Sequence, residues 1–329
     1  MLWAGCGMDL RQLRYFIAIV ESGAFSRAAL RLNVAQPALS QHVKTMEAAF
    51  GVKLLVRSAK GVTPTEAGLR LLGEARALEQ RVAGLRDHVR GVLSLPEGDV
   101  RLAMPGTIGE QLAVPLIEAA RTRFPGVRIR LAEAMSGHVL DMLQDGRVEI
   151  ALLYGLAPPT GLVMHRALTE EIKLFAANTA PRPGSRQPRG PSIRLAQALE
   201  LPLIVPGPGH GLRDLLDRSA SAIQHRLAPT IEVDSYHQIK HLVARGLGFG
   251  LLPAVALKQE LAAGSMRAWS VTEPALQRHI HLAHRAGQPL SRAAEAVARL
   301  AWSLLAGMVR DRDWIATWTG PDSLALAGS

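Results

Sequence analysis

Along DLRQLRYFIAIVESG, starting at Asp9, the apolar residues Leu10, Leu13, Phe16, Ile17 and Val20 recur at three- and four-residue spacings, the period of one buried helix face. Gly23 ends the pattern as a common helix stop. A second helix is predicted from about Ser26, whose hydroxyl suits an N-cap, to Leu32, with Ala28, Ala29 and Leu32 turned inward. A third is predicted from Gln36. Pro37 falls in its first turn, where a missing N–H costs nothing, and Leu39, Val43, Met46 and Phe50 form its apolar stripe. Two short helices joined tightly at Asn33 and Val34 match a helix-turn-helix. VKLLVRSAKGVTPTEAG then gives two short apolar runs around Ser58 to Gly61, a hairpin that makes the unit winged.

From Thr65 the period lengthens into a seam. Leu71, Ala75, Leu78, Val82, Leu85, Val89 and Val92 alternate at four and three residues, the heptad of a helix that seeks a partner helix. The expectation is a dimerisation helix over 67–95, ended by LPEGD. Packing against the chain's own body would give the same period, but a helix between two domains has little of its own chain to cover it.

Beyond Asp99 the pattern becomes alternating strands and helices: VRLAM, a helix through Leu116 and Ile117, VRIRLAEA, a helix through Leu140 and Leu143, then VEIALLY. The order repeats in IKLFAA, LPLIV, a helix from Leu212, IEVD, a helix from Tyr236, and FGLLP. Such alternation predicts an α/β domain with a mainly parallel sheet, here in two subdomains. An amphipathic helix follows from Ser291 through Trp302 to Met308. The tail through Trp314 and Trp318 reads as irregular, frayed or used in subunit contact. TAPRPGSRQPRGPS, from Thr179 to Ser192, reads as a surface loop.

The chain of 329 residues is 48% hydrophobic and carries a formal charge of +10. Residues 1–95 hold 13 Lys/Arg against seven Asp/Glu, so more than half of the excess lies in less than a third of the chain. A basic end on a more nearly neutral body points to a polyanion-binding module attached to something with another task. The longest apolar runs are too short for a bilayer span, and the opening MLWAGCG lacks the basic flank and length of a signal peptide. A cytoplasmic protein without a membrane partner is expected, with residues 1–7 either the product of an upstream start codon or an unstructured leader. The single cysteine, Cys6, excludes an internal disulfide framework or a thiolate-rich zinc site.

The polar face of the third helix shows Gln36, Pro37, Ser40, Gln41 and Lys44. Glutamine pairs bidentately with adenine, and proline carbons suit a thymine methyl. Lys44, Lys53, Arg57 and Lys60 are suited to phosphates, and Arg57 and Lys60 at the hairpin tip suit a minor groove. Ser26 joins this DNA-facing set. A three-helix packing unit with a solvated face would show the same periodicity.

In the α/β body, Thr107, Ser136 and Tyr154 follow successive strands, and Pro206 with Gly207 follows LPLIV. Hydroxyls and free N–H groups at helix starts suit a small carboxylate or oxyanion, although the same residues serve plain capping. GLGFG, from Gly246, lacks the dinucleotide spacing and reads as a helix stop. His237 and His241 lie one helical turn apart, and His279, His281 and His284 lie on a strand-like run, neither with a set that completes a metal site. No nucleophile elbow or phosphate loop occurs, so neither catalysis nor a cofactor is expected. An enzyme or a plain small-molecule binder on the two-lobed body is the alternative class.

FSRAALRLNVAQPALSQHVKTMEAAFGVKLLVR followed by GVTPTEAG closely resembles the DNA-binding domain of LysR-type transcriptional regulators. Within that family the wording AQPALSQHV and KGVTPT is most similar to the nitrogen assimilation control branch. The resemblance implies base contacts at Gln36, Pro37 and Ser40, with Gln41 beside them where many members carry arginine, and Arg57 in the wing. It also implies linker helices paired in dimers that assemble into tetramers, an interrupted palindromic promoter site, contact with RNA polymerase, and a periplasmic-binding-protein-like effector domain. The branch implies regulation without an effector, so a small anionic ligand and a vestigial cleft are both expectations. The expected division is 1–66 winged helix-turn-helix, 67–95 linker, 96–310 regulatory domain and 311–329 tail. Within the regulatory domain, subdomain I covers about 99–167 and 273–310, and subdomain II about 168–272.

Overall fold

The computed structural model describes residues 9–58, 61–90, 95–155, 159–178 and 187–326, without the side chains of 80, 81 and 83–90. The expected leader with Cys6, the wing residue Lys60, residues 179–186 of the expected loop, and the side chains of Leu85 and Val89 lie outside these residues.

The N-terminal unit comprises α1 (Leu10–Ser22), α2 (Phe25–Leu32), α3 (Gln36–Phe50), a hairpin of β1 (Leu55–Ser58) and β2 (Gly61–Pro64), and the long α4 (Glu66–Arg90). Asp9 and Gln12 close the start of α1 with a reciprocal capping box, and Gly23 and Asn33 end α1 and α2 in left-handed conformations. The core gathers Phe16, Ile19, Ala28, Leu39, Val43 and Met46 with Leu54 from the approach to the wing. Each such large apolar side chain contributes roughly 1.5–3 kcal/mol of burial. The wing is tied back to the helices: Val62 N–H donates to the Gly23 carbonyl at 2.9 Å. Gly61, at φ +124°, permits that approach, since a Cβ there would stand 2.6 Å from the same carbonyl oxygen.

Three expectations for this unit change. Ser26 does not cap α2; the helix starts at Phe25 with Ala24 before it and no side-chain cap, because Phe25 is drawn into the core. Leu10 and Phe50 stay exposed. The heptad is interrupted at its start: Ala75 is 1% exposed and sits with Leu72 in the helix-turn-helix core, while Leu71 packs partly on it. The first turns of α4 close the winged domain, so only from Leu78, which is exposed, and the half-buried Val82 does the seam face away from that core.

The α/β domain opens with β3 (Glu97–Met104), α5 (Gly106–Arg123), β4 (Gly126–Glu133), α6 (Ser136–Gln144) and β5 (Ile150–Tyr154). The 16-residue β6 (Leu162–Ala177) leads into β7 (Ser192–Arg194), α7 (Leu195–Leu199), β8 (Leu203–Val205), α8 (Gly211–Ala222), β9 (Ile231–Glu232), α9 (Tyr236–Ala244) and β10 (Phe249–Pro253). A 3-10 turn at Ala254–Leu257, α10 (Lys258–Ala262), β11 (Met266–Thr272), β12 (Gln277–Arg285), α11 (Arg292–Arg310) and β13 (Thr317–Trp318) complete it. Gly246, left-handed after α9, turns the chain toward β10, so GLGFG is a helix stop.

Strand order is β4-β3-β5-β12-β6-β10-β8-β9. β3 runs parallel to β4 and β5, and β10 parallel to β8, whereas β12 and β6 are antiparallel to their neighbours. β6 belongs to both halves: it pairs with β12 up to Glu171 and with β10 from Ile172. The chain returns between β11, which pairs with β6 in the second half, and β12. Two separate apolar cores, one around Phe175, Leu216 and Trp269 and one around Leu102, Leu112 and Trp302, lie on either side of this shared pair of crossings.

Through Leu326 the tail is neither frayed nor free. Trp314 is 1% exposed, Leu324 and Leu326 join the first half's core, and β13 adds to β6 beside Leu168 and Thr169. Three apolar anchors spaced through a polar segment carry no regular period, which is why the pattern alone did not place them.

Candidate DNA interface and effector cleft

α3 has one buried and one exposed side because its apolar residues recur at helical spacing. Leu39, Val43 and Met46 are buried while Gln36, Pro37, Gln41 and Lys44 are exposed. Ser40 is half-buried and accepts a hydrogen bond from Arg57 Nη2 at 2.8 Å. The Arg57 guanidinium also lies 4.1 Å from the centre of the Phe25 ring. Arg57 therefore leans from β1 onto α2 and α3 instead of reaching out from the hairpin tip, and it presents its charge beside the amide-bearing turns. Ser26 is exposed on α2.

Glu47 fixes the approach to the wing, accepting from Lys53 Nζ at 2.7 Å and from the Leu54 N–H at 3.0 Å. Partial burial works against its ionisation, but the Lys53 ammonium and these N–H groups outweigh it and hold its carboxyl below the usual range. Lys53, exposed like Lys44, differs from it in being paired with this carboxylate.

The second candidate site is the cleft between the α/β halves. The amino ends of α5, α6, α8 and α9 converge there, as parallel α/β topology dictates at the carboxyl ends of strands. Thr107, on α5, is buried and its Oγ1 lies 2.6 Å from Tyr154 Oη at the end of β5. Ser136 opens α6. These three expected residues meet around two adjoining cavities of about 410 and 430 Å³, both lined by Ser136 and Tyr154, within the roughly 300–1,000 Å³ of small-molecule sites.

Pro206 and Gly207 line neither cavity. The Pro206 carbonyl accepts from Arg213, and the Gly207 N–H is taken by Asp234 Oδ1 at 2.9 Å, so the donor expected to be free is already satisfied.

Other cleft residues belong to no motif of the sequence. Arg278 on β12 pairs with Glu170 on β6, both buried, and stacks over the Tyr154 ring at 3.7 Å. Its Nη2 donates to Thr107 Oγ1 at 3.4 Å, and Trp314 Nε1 donates to the other Glu170 oxygen at 3.0 Å. Burial alone would lower the guanidinium pKa; the Glu170 carboxylate reverses this and raises it. Burial pushes the Tyr154 phenol well above its ordinary range, so it stays a neutral donor. From the second half come Tyr236 and His210, whose rings meet edge-on at 5.2 Å; burial, then Arg278, lowers the His210 pKa. A legible signal existed: Arg278 and Glu170 each sit on the inward register of an apolar strand, flanked at two residues by Leu276 and Ile280 and by Leu168 and Ile172.

The winged unit and the α/β domain touch through Arg76 of α4. It donates to Glu21 Oε1 on α1 at 3.2 Å and to the Asp145 carbonyl after α6 at 3.1 Å.

Residues 10–69 match the family described as bacterial regulatory helix-turn-helix protein, lysR family, and residues 94–306 match the LysR substrate binding domain. The chain belongs to the LysR family of transcriptional regulators. The regulator is 31% identical over 301 residues to the nitrogen assimilation regulatory protein nac of Klebsiella aerogenes, covering 91% of this chain and 95% of that protein. The corresponding protein of Escherichia coli K12 is 29% identical over 93% of the regulator and 99% of its own length. Among solved structures, a full-length OxyR variant from Pseudomonas aeruginosa superposes with a TM-score of 0.72 at 25% identity, over 89% of the regulator and 94% of that chain. ArgP from Mycobacterium tuberculosis gives a TM-score of 0.70 at 23% identity, over 90% and 98%, a likeness of fold. The regulator thus is a DNA-binding transcription factor with a winged helix-turn-helix and a two-lobed periplasmic-binding-protein-like domain.

Among the described residues, no helix is long and apolar enough to cross a membrane, and no group of three or more His, Cys, Asp and Glu is placed to hold a metal ion. The His237 and His241 rings lie 4.2 Å apart, tilted by 52° to each other.

Proposed function

We propose that the regulator reads an interrupted palindrome in double-stranded DNA with the first turns of α3. Gln36, Pro37, Ser40 and Gln41 face base edges, and Lys44, Arg57 and Lys60 hold phosphates, with Ser26 at the margin of the same face. The observation that carries this reading is the division of α3: its apolar stripe is buried while Gln36, Pro37, Gln41 and Lys44 remain exposed on the other side. The Arg57 bond to Ser40 supports it, since it sets a cation beside the amides.

Two copies are needed for two half-sites, so α4 pairs with α4 of a second copy through Leu78, Val82, Leu85 and Val89, and dimers assemble into tetramers. Leu71 and Ala75 are left to the winged core. A small anionic effector occupies the cleft at Thr107, Ser136 and Tyr154, and shifts the halves by binding one of two arrangements more tightly. The protein works in the cytoplasm, contacts RNA polymerase at the promoter, and catalyses no reaction.

Footprinting of the full-length protein on DNA upstream of its own gene tests the reading. Protection of two similar half-sites separated by an unselected spacer is expected. Equal affinity for that DNA and for unrelated DNA would end it.

A further inference from the structure

The two cavities of the cleft differ in charge. In the one of about 410 Å³, Arg218 and Arg278 outnumber Asp214, and the amino ends of α6 and α8 add partial positive charge. Those ends nearly touch, because a Cβ on Gly211 would lie 3.3 Å from Ser136 Oγ. In the other, of about 430 Å³, the formally charged groups are the carboxylates Glu110, Glu133 and Asp234. Glu133 rests on Gly106 and Gly109 at the start of α5 and has no ion-pair partner among the described residues.

Arg278 stands where the cavities adjoin, bonded to Thr107 and stacked on Tyr154. It is 5% exposed, and its Nη1 makes no hydrogen bond although Nε is committed to Glu170. An unsatisfied buried donor of a charged group is costly, and an acceptor from a ligand would satisfy it once the halves part enough to admit one. A simple carboxylate held there would face the three carboxylates of the neighbouring cavity, and like charges in a partly desolvated cleft repel. A ligand that also carries an ammonium turns that repulsion into attraction.

We propose that the cleft binds a zwitterionic aminocarboxylate, its carboxylate at Arg278 Nη1 and Ser136 and its ammonium toward Glu133 and Asp234. This rests on the effector reading above and narrows it from an anion to a zwitterion.

Isothermal titration of the full-length protein with each proteinogenic α-amino acid and with γ-aminobutyrate, against butyrate and n-butylamine, tests it. At least one aminocarboxylate is expected to bind, with butyrate and butylamine each weaker by about tenfold or more. Glu133→Gln, an isosteric change at an exposed position, is expected to weaken the aminocarboxylate by roughly tenfold and leave butyrate unchanged or tighter. Arg218→Gln weakens both carboxylate-bearing ligands. If butyrate binds as well as every aminocarboxylate and Glu133→Gln changes nothing, the zwitterion is wrong while an anionic effector stands. If butylamine binds as well as any aminocarboxylate, the carboxylate assignment is wrong. If none of these compounds binds, both readings fall.

Discussion

Arg278 and Glu170 are direct cross-strand partners, one on each of the strands at which the two halves of the regulatory domain meet, and both are buried. Breaking such a pair leaves one charge uncompensated in a dry environment, at a cost of about 3–5 kcal/mol. Glu170→Leu is expected to lose that much in urea unfolding of the regulatory domain. The double change Glu170→Leu with Arg278→Met should lose clearly less, because no lone charge remains. Equal losses in the single and double variants would mean that the pair is not coupled.

Trp314 reaches the same carboxylate from behind. Its ring is 1% exposed and its Nε1 donates to Glu170 Oε2, so the C-terminal segment forms part of the wall that orients Arg278. Trp314→Phe keeps most of the apolar burial and removes the donor, with an expected loss of about 1–3 kcal/mol. Trp314→Ala also opens a cavity and should cost about 3–5 kcal/mol. If Trp314→Phe unfolds like the unchanged protein, the indole N–H does not hold Glu170.

The elements that could be read from the sequence are those with a repeating period. α1, α3, β3, β4, α8 and α11 carry apolar residues at three- and four-residue or alternating spacings, and the helix-turn-helix follows from two such helices and Pro37. β7, α7 and β13 are two to five residues long, too short to show a period. The heptad from Leu71 misled at its start because the first turns of α4 cover the winged core, with Leu72 and Ala75 buried there and Leu78 exposed. Half of the cleft was legible, through hydroxyls that follow strands. For Arg278 and Glu170 only the inward register on an apolar strand was visible; their meeting with each other and with Trp314 joins segments more than 100 residues apart in sequence, which no local pattern reports. Gly207 was misplaced for a similar reason, its N–H being taken by Asp234 from a later loop.

His281, three residues beyond Arg278 on β12, is buried with its Nδ1 unpartnered, and burial, then Arg166 and His279, presses its pKa down to about 4. The unfolded chain binds that proton near pH 6.5, so the unfolded state holds more protons between the two values and stability falls as pH drops through that window. The contribution is whole above about pH 6.5, shrinks on acidification and is gone below about pH 4. Allowing for partial solvation, the loss is about 2 kcal/mol. Comparison of urea midpoints at pH 7 and pH 4.5 for the unchanged protein and His281→Leu checks this. The variant should show the shallower decline, and parallel declines would assign the acid sensitivity elsewhere.

Gln36 and Lys44 lie on the same exposed side of α3, yet they are assigned different tasks, and DNA binding separates them. An amide that pairs with one base discriminates by about 1–3 kcal/mol, so Gln36→Ala should weaken the protected site by roughly 5- to 150-fold while leaving unrelated DNA nearly unaffected. A lysine on a phosphate has no sequence to read. Lys44→Ala should weaken every sequence alike and reduce the slope of log affinity against log salt by about 0.9 per half-site. Titrations of both variants against the protected site and a scrambled duplex, repeated across salt concentrations, give the two signatures side by side. If Gln36→Ala lowers affinity equally for both duplexes and flattens the salt slope, its amide touches the backbone, and the base-reading role must pass to Gln41 or Ser40.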